Sequence, residues 1–430
     1  MSDLSPWPTK NLCELFDLVN GFTFSSEEWS DDGVPIIRIQ NLNDRDAVFN
    51  YFNGDIDQRY RVVNGDLLFS WSGSRGTSFG PYIWSGVDSL LNQHIFNLRK
   101  VSNSVTKKFA YMWLRFIIKD IEDQAHGSAG LVHITKSELG LFKVPVPEIP
   151  IQKKIAKVLT TIDNLIEKTQ ALIDKYTAIK QGMMADLFTR GIDLNGTPDT
   201  NPNYGQLRPP VEQAPELYKE TELGWVPKEW NCEKLSTSLI RIEQGWSPDC
   251  DSEPADEGEW GVLKTTAVVW EGFDDKQNKA LPSKLTARPE YEVKPSDVLM
   301  TRAGPGNRVG VVAFVSKVQQ KLMLSDKLYR IVADQGVDSE FLSLLLSSTA
   351  VQRQLDATKT GLAESQSNIS QHIVKKLNVA IPKKDEQLAI VEKIRSCSER
   401  IAAEFSLLKK YSLQKKGLMQ DLLTGKVLVS

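Results

Sequence analysis

The chain is poor in the residues that metal and disulfide chemistry use. Its four cysteines (Cys13, Cys232, Cys250, Cys397) stand far apart with no CxxC pair. Its four histidines (His94, His126, His133, His372) show no metal-ligand spacing. These two facts argue against a disulfide scaffold or a zinc site and fit reduced thiols in a cytoplasmic protein. No apolar run approaches the ~18 residues of a membrane span. The start, Met1-Ser2-Asp3-Leu4-Ser5-Pro6-Trp7, lacks the basic region and apolar core of a signal peptide. Charge of one sign is also scarce, the net being −3. Such a chain does not coat nucleic acid by bulk charge, although local basic surfaces or a basic partner remain compatible with it.

Signatures of catalysis are missing too. No GxGxxG opens a helix, so no nucleotide or S-adenosylmethionine pocket is supported. Gly304-Pro305-Gly306-Asn307-Arg308-Val309-Gly310 is Gly-rich but lacks the Lys-Ser/Thr of a phosphate loop, and a surface hairpin explains it as well. Asn201-Pro202-Asn203-Tyr204 comes near the Asn/Asp-Pro-Pro-Tyr motif of amino-methyltransferases. It has Asn at the third position and no apolar strand before it, so it reads as a turn. Asp297 after Glu292-Val293-Lys294 has the wrong order for a nuclease carboxylate set.

What the chain has is a long internal repeat. A shift of 235 positions lays 134–189 over 369–424 without a gap: Pro147 on Pro382, Gln152 on Gln387, Ile166 on Ile401, Tyr176 on Tyr411, Gly182 on Gly417 and Asp186 on Asp421. Upstream the likeness continues with a drifting offset, from 223 at Trp7/Trp230 through 231 at Asp66/Asp297. With 430 residues, 41% hydrophobic and 25% charged, the chain is long enough for several cores. Two copies of one unit imply two-fold pseudo-symmetry, and two similar faces for a partner that binds twice.

The expected fold is mixed α/β (α+β). A first globule over 1–147 opens with strands at 34–39 and 66–71, rich in β-branched and aromatic residues. A helix follows over 109–117, then a glycine-bearing loop at 126–130. A short helix comes next, capped by Thr135 with Glu138 three residues on. A first long helix covers 148–190, a Pro-rich extended linker 191–223, a second globule 224–382, and a second long helix with its tail 383–430. On the first helix Val158, Leu165, Leu172 and Ile179 recur every seven residues beside Ile155, Ile162, Thr169, Tyr176 and Met183, which predicts one apolar seam. The second offers Ile390, Ile394, Cys397, Ile401, Phe405, Leu408 and Tyr411. About 36 residues at ~1.5 Å each make a rod of roughly 54 Å, too long to hide in one small domain. Pairing of the two helices as an antiparallel coiled coil is therefore favoured over burial of each against its own globule.

The loops of both globules hold donor-rich side chains suited to reading DNA. The first has Arg38, Gln40, Asn41 and Asn43, then Ser72, Ser74, Arg75 and Thr77; the second has Lys264, Thr265 and Thr266, then Arg302, Asn307 and Arg308. Arg and Asn/Gln make bidentate contacts to base edges, while Ser, Thr and Lys fix phosphates. Gly127 and Gly361 would let backbone approach phosphate closely. Each alone is an ordinary solvated loop residue, and the signal lies in matched placement.

Glu222-Leu223-Gly224-Trp225-Val226-Pro227-Lys228-Glu229-Trp230 resembles the opening of a target-recognition domain. Val146-Pro147…Gln152…Ile155 and Ile381-Pro382…Gln387…Ile390 resemble its exit into a long helix, and the helix ends at 186–191 and 421–426 fit too. Together they resemble the specificity subunit of type I restriction–modification systems over nearly the whole chain. The resemblance implies two target-recognition domains reading a bipartite double-stranded DNA target, with the paired helices as spacer. It implies two docked adenine methyltransferase subunits, which bring S-adenosylmethionine. Restriction/translocase subunits using ATP and Mg would join them, and this chain itself would be non-catalytic with no cofactor or metal. A recognition subunit of a related bifunctional type II enzyme and a non-DNA coiled-coil scaffold remain the alternatives.

Overall fold

The computed structural model describes residues 6–44, 46–127, 130–250, 252–359 and 367–428. The chain divides into two compact units: Met1–Leu172 with Glu404–Ser430, and Ile173–Ala403.

In the first unit a four-stranded antiparallel sheet is ordered Phe16–Asn20, Ile95–Lys100, Leu67–Ser70, Gly80–Ile83. A second sheet holds Asn50–Phe52, Val34–Ile37, Ser89–Leu91 and Arg61–Val62, with a parallel pairing between Val34–Ile37 and Ser89–Leu91. The helix Lys107–Phe116, capped by Thr106, buries Phe109, Ala110, Met112 and Leu114. The short helix Lys136–Gly140 starts at Thr135 with the capping box to Glu138 that the sequence predicts.

The globule of the second unit repeats this plan. Its four-stranded sheet runs Leu239–Gln244, Leu328–Ala333, Val298–Thr301, Val312–Phe314. A parallel pair again joins Gly261–Leu263 to Leu322–Met323. Asp338 caps the helix Ser339–Leu346, and Ser370 caps Gln371–Lys375. Asp66 and Asp297, equivalent in the repeat, are structural: Asp66 pairs with Lys107 at 2.7 Å and Asp297 with Arg330 at 3.0 Å.

The fold is thus mixed α/β, with two globular domains each followed by a long helix, Ile149–Thr189 and Lys384–Leu423. The helices pair antiparallel within each unit. In the first, Ile155 and Leu159 share a buried cluster with Leu422 and Leu423, and Asp163 pairs with Lys415 at 2.5 Å. In the second, Leu187 clusters with Ile390 and Ile394, and the Cys397 thiol points at the Tyr176 carbonyl.

The seam differs from expectation by one residue. Ile155 and Ile162 lie on it, but the companion row is Leu159 and Ile173, not Leu165 and Leu172, which are 38% and 37% exposed; Val158 is half-buried and Ile179 exposed. On the second helix Ile390 and Ile394 are buried and Ile401, Leu408 and Tyr411 half-buried, while Phe405 is 46% exposed and Glu404 takes its place. Both candidate rows alternate steps of three and four, so spacing alone does not choose between them. Gln152, on the same side of the helix as Leu159, is completely buried. Gln152 and Leu159 are seven apart, so the anchored glutamine and the buried leucine share one face of the helix.

That anchor recurs in both copies. Gln152 Oε1 accepts from the Thr106 amide at 2.8 Å, and its Nε2 donates to the carbonyls of Ser104 and Pro147. Gln387 Oε1 accepts from the Asp338 amide at 2.8 Å, and its Nε2 donates to those of Gly336 and Pro382. Thr106 and Asp338 are the caps of the equivalent globule helices, so each long helix is fastened to its own globule at the same point.

The Pro-rich segment 191–223 has little regular structure until the hairpin of Tyr218–Thr221 with Gly224–Pro227, yet it is docked. Arg208, 3% exposed, pairs with Glu386 at 2.5 Å and with Glu229 at 3.0 Å. Glu386 also accepts from Trp230 Nε1 and from the Ile192 amide. Four short polar runs of the sequence are thereby tied together at the start of the second long helix. Among the described residues, no helix is long and apolar enough to cross a membrane.

Candidate nucleic-acid interface

In each globule three loops leave the ends of the two sheets side by side. In the first they are 38–43, after the strand Val34–Ile37, which forms the short helix Ile39–Asn43 where a loop was expected; 72–77, after Leu67–Ser70, which opens with the strand Ser72–Ser74; and the turn 92–94 that joins Ser89–Leu91 to Ile95–Lys100. Arg38, Gln40, Asn92 and His94 line a recess of about 190 Å³. A glycine makes this approach close: the Phe22 amide bonds the Leu91 carbonyl, and a Cβ on Gly21 would lie 2.0 Å from the Asn92 carbonyl oxygen. Gly245 repeats the arrangement, its notional Cβ 1.8 Å from the Leu324 carbonyl oxygen. Sequence reading missed this pair, whose only signal is the recurrence of Asn20-Gly21-Phe22 as Gln244-Gly245-Trp246.

The predicted residues divide by what they already hold. Arg38 lies over the Trp29 ring at 5.0 Å and donates to Asn50 Oδ1. Gln40 is exposed and donates to the Val48 carbonyl. Asn41 is turned inward, 6% exposed: its Oδ1 accepts from the Arg38 amide and its Nδ2 donates to the Ala47 carbonyl, so it is a loop brace. Asn43 Oδ1 and the Thr77 carbonyl both accept from the Tyr82 hydroxyl, at 2.8 and 3.2 Å. Tyr82, which sequence reading passed over, thus joins two of the loops; burial pushes its phenol pKa up, so it stays a neutral donor. Ser74, Arg75 and Thr77 are exposed, Ser72 half-buried, and Arg75 lies 3.8 Å from Asp123.

Strand Ser72–Ser74 pairs with Leu131–His133, which brings the loop of Gly127 alongside. Gly127 has φ +135°, and a Cβ there would meet the Leu131 carbonyl oxygen at 2.1 Å, so glycine is required. Next to it His126 Nε2 meets Glu138 Oε1 at 2.7 Å. That contact and the Thr135 cap hold the Glu138 carboxyl down at about 2.

In the second globule Arg308 donates to the carbonyls of Thr265 and Val268, and Arg302 to the Asp326 carbonyl and Asn368 Oδ1. Both arginines bridge loops, and each still keeps a buried Nε without an acceptor. Lys264 reaches the Ser252 carbonyl at 3.4 Å, and Thr266 donates to Gln277. Asn307 and Thr266 are exposed, Thr265 half-buried. Gly361 lies outside the described residues. The same three positions therefore converge in both globules, with unlike side chains. Among the described residues no cluster of His, Cys, Asp and Glu is arranged to hold a metal ion.

The chain matches the type I restriction modification DNA specificity domain over residues 5–176 and 250–409. It is 41% identical over 188 residues to the type I restriction enzyme EcoEI specificity subunit of Escherichia coli, a match spanning 43% of this chain and 31% of that relative. It is 24% identical over 395 residues to the MjaVIII specificity subunit of Methanocaldococcus jannaschii, across 90% of this chain and 84% of that one. The fold is similar to the crystal structure of a type I restriction-modification S subunit from M. genitalium, with TM-score 0.58 at 13% identity over 98% of this chain and 97% of that chain. Repeated globules, matched loop clusters and the glutamine-anchored helices agree with these likenesses: the chain belongs to the specificity subunits of type I restriction–modification systems.

Proposed function

We propose that the two globules read the two unlike halves of a bipartite double-stranded DNA target, and that the paired helices set the gap between them. The carrying observation is that the globules share one strand plan and one loop cluster but present different side chains at matched places. Arg38 stands where the second copy has Lys264, and Asn92-Gln93-His94 where it has Ser325-Asp326-Lys327. Phosphate contacts position such a reader and base-edge contacts specify its site.

The helices, whose sequences repeat without a gap, suit two identical partners. In this reading two adenine methyltransferase subunits dock there, bringing S-adenosylmethionine and the methylation chemistry. Restriction/translocase subunits add ATP- and Mg-dependent steps. This chain, working in the cytoplasm, addresses the DNA and is not itself the catalyst.

Exchanging residues 1–147 for the first globule of another specificity subunit tests the reading. Methylation mapping of the assembled complex should then show one half of the target changed and the other retained. A change in both halves, or in neither, sinks it.

A further inference from the structure

Outside the residues named so far, the second globule carries an arginine laid on a tryptophan beside the turn 325–327. Arg288 lies over the Trp246 ring, 4.1 Å from its centre. That is nearer than Arg38 on Trp29, at 5.0 Å, or Arg59 on Tyr60, at 4.7 Å. Both partners hang on Leu324. The Leu324 amide donates to the Tyr291 carbonyl, at the end of the short turn Pro289–Tyr291 that Arg288 leads into. The Leu324 carbonyl accepts from the Trp246 amide at 3.0 Å. Leu324 runs directly into Ser325-Asp326-Lys327, and the hydroxyl of Ser247, next to Trp246, accepts from the Asp326 amide at 3.2 Å. The pair is therefore fixed against one of the three converging loops.

Trp246 is half-buried, whereas Arg288 is exposed. Among the described residues the Arg288 guanidinium has no hydrogen-bond or ion-pair partner; its contact is the ring. The first globule differs at the matching place. The shift of 231 that joins Asp66 to Asp297 lays Asp57 on Arg288. There Arg59 lies over Tyr60 but is already engaged, 3.5 Å from Asp57 and donating to the Tyr60 hydroxyl at 2.5 Å.

A stacked guanidinium keeps its donor edge open and loses little freedom on meeting two acceptors side by side. Guanine presents such a pair, O6 and N7, in the major groove. The adjoining turn favours a base over phosphate. It alternates in sign, with Asp326 Oδ2 3.5 Å from Lys327 Nζ and Asp326 Oδ1 accepting no hydrogen bond among the described residues. A carboxylate repels phosphate, whereas a base-pair edge offers donors as well as acceptors.

We propose that Arg288, stacked on Trp246, is a specificity-determining residue that reads one guanine in the half-site of the second globule. The proposal rests on the reading of that globule as a half-site reader.

The test uses the full complex with its methyltransferase subunits and DNA pools randomised in one half-site at a time, with methylation read by sequencing. The unsubstituted complex should demand a guanine at one position of the second globule's half-site. Arg288→Lys keeps the charge and loses the two-pronged donor. It should relax the preference for that guanine roughly tenfold, the size of one lost specific contact, and leave the other half-site unchanged. Arg288→Ala, which also removes the charge, should lose the preference at the same position. Full discrimination in Arg288→Lys overturns the proposal, as does a half-site without a guanine. Even weakening of Arg288→Ala across all sequences, with a shallower salt dependence, would mark a phosphate contact and overturns it too. An unsubstituted complex that methylates no bipartite target refutes the underlying reading instead.

Discussion

At the scale of single residues, the glutamines at the start of the long helices carry more than their neighbours. Each is completely buried and makes three hydrogen bonds to main-chain groups, two of them 46 to 51 residues back in the globule and the third to the proline five residues back. Gln387→Ala strands the Asp338 amide and releases the Gly336 and Pro382 carbonyls. At about 1–3 kcal/mol for a stranded buried group, it should destabilise the protein by roughly 2–4 kcal/mol in chemical denaturation; an unshifted midpoint would show that water replaces the bonds. The repeat marked Gln152 and Gln387 as equivalent, but their task was hidden, because a bond to a backbone amide leaves no mark on the residue that offers it. Asn41 shows the converse. Its residue type suits base reading, and only the backward turn of 39–43 reveals that its amide is already used.

At the scale of elements, the strands and capped helices were legible and the seam only partly so. Thr135 and Ser370 start their helices as their residue types predict. The first long helix was plain from its sevenfold spacing, but it is apolar on both sides of the Ile155–Ile162–Tyr176 row. Substitution separates the rows. Leu159→Ala, at a fully buried position, should cost about 2–5 kcal/mol in thermal or denaturant unfolding. Leu165→Ala, at a side chain 38% exposed, should stay within about 0.5 kcal/mol in the isolated subunit. The opposite order would restore the row that spacing first suggested. The segment 191–223 was legible as proline-rich and irregular. Its docking was not, because it depends on Arg208 meeting Glu386, 178 residues later.

At the scale of the molecule, the duplication was the clearest message of the sequence, and the three converging loops of each globule were only half visible. Residue types named the loops; their approach at Gly21 and Gly245 emerges only in the folded chain, where each glycine lies against a distant main-chain carbonyl. If the helices are the spacer, their length should be readable in the DNA. Inserting one heptad after Thr169 and one after Glu404 preserves the seam, and seven residues at ~1.5 Å add about 10 Å. The permitted gap should grow by about three base pairs at ~3.4 Å each, as methylation mapping would report; an unchanged gap would remove the spacer role.

The glutamine anchors have one more consequence. Every atom they grip belongs to the main chain, and a peptide group is alike whatever side chain it bears. Such a socket is blind to the identity of the globule plugged into it. A globule with other loops would meet the same three contacts provided a helix cap and a proline stop arrive in the same place. The two globules of this chain can therefore differ in their loops while each is attached to its helix in the same way.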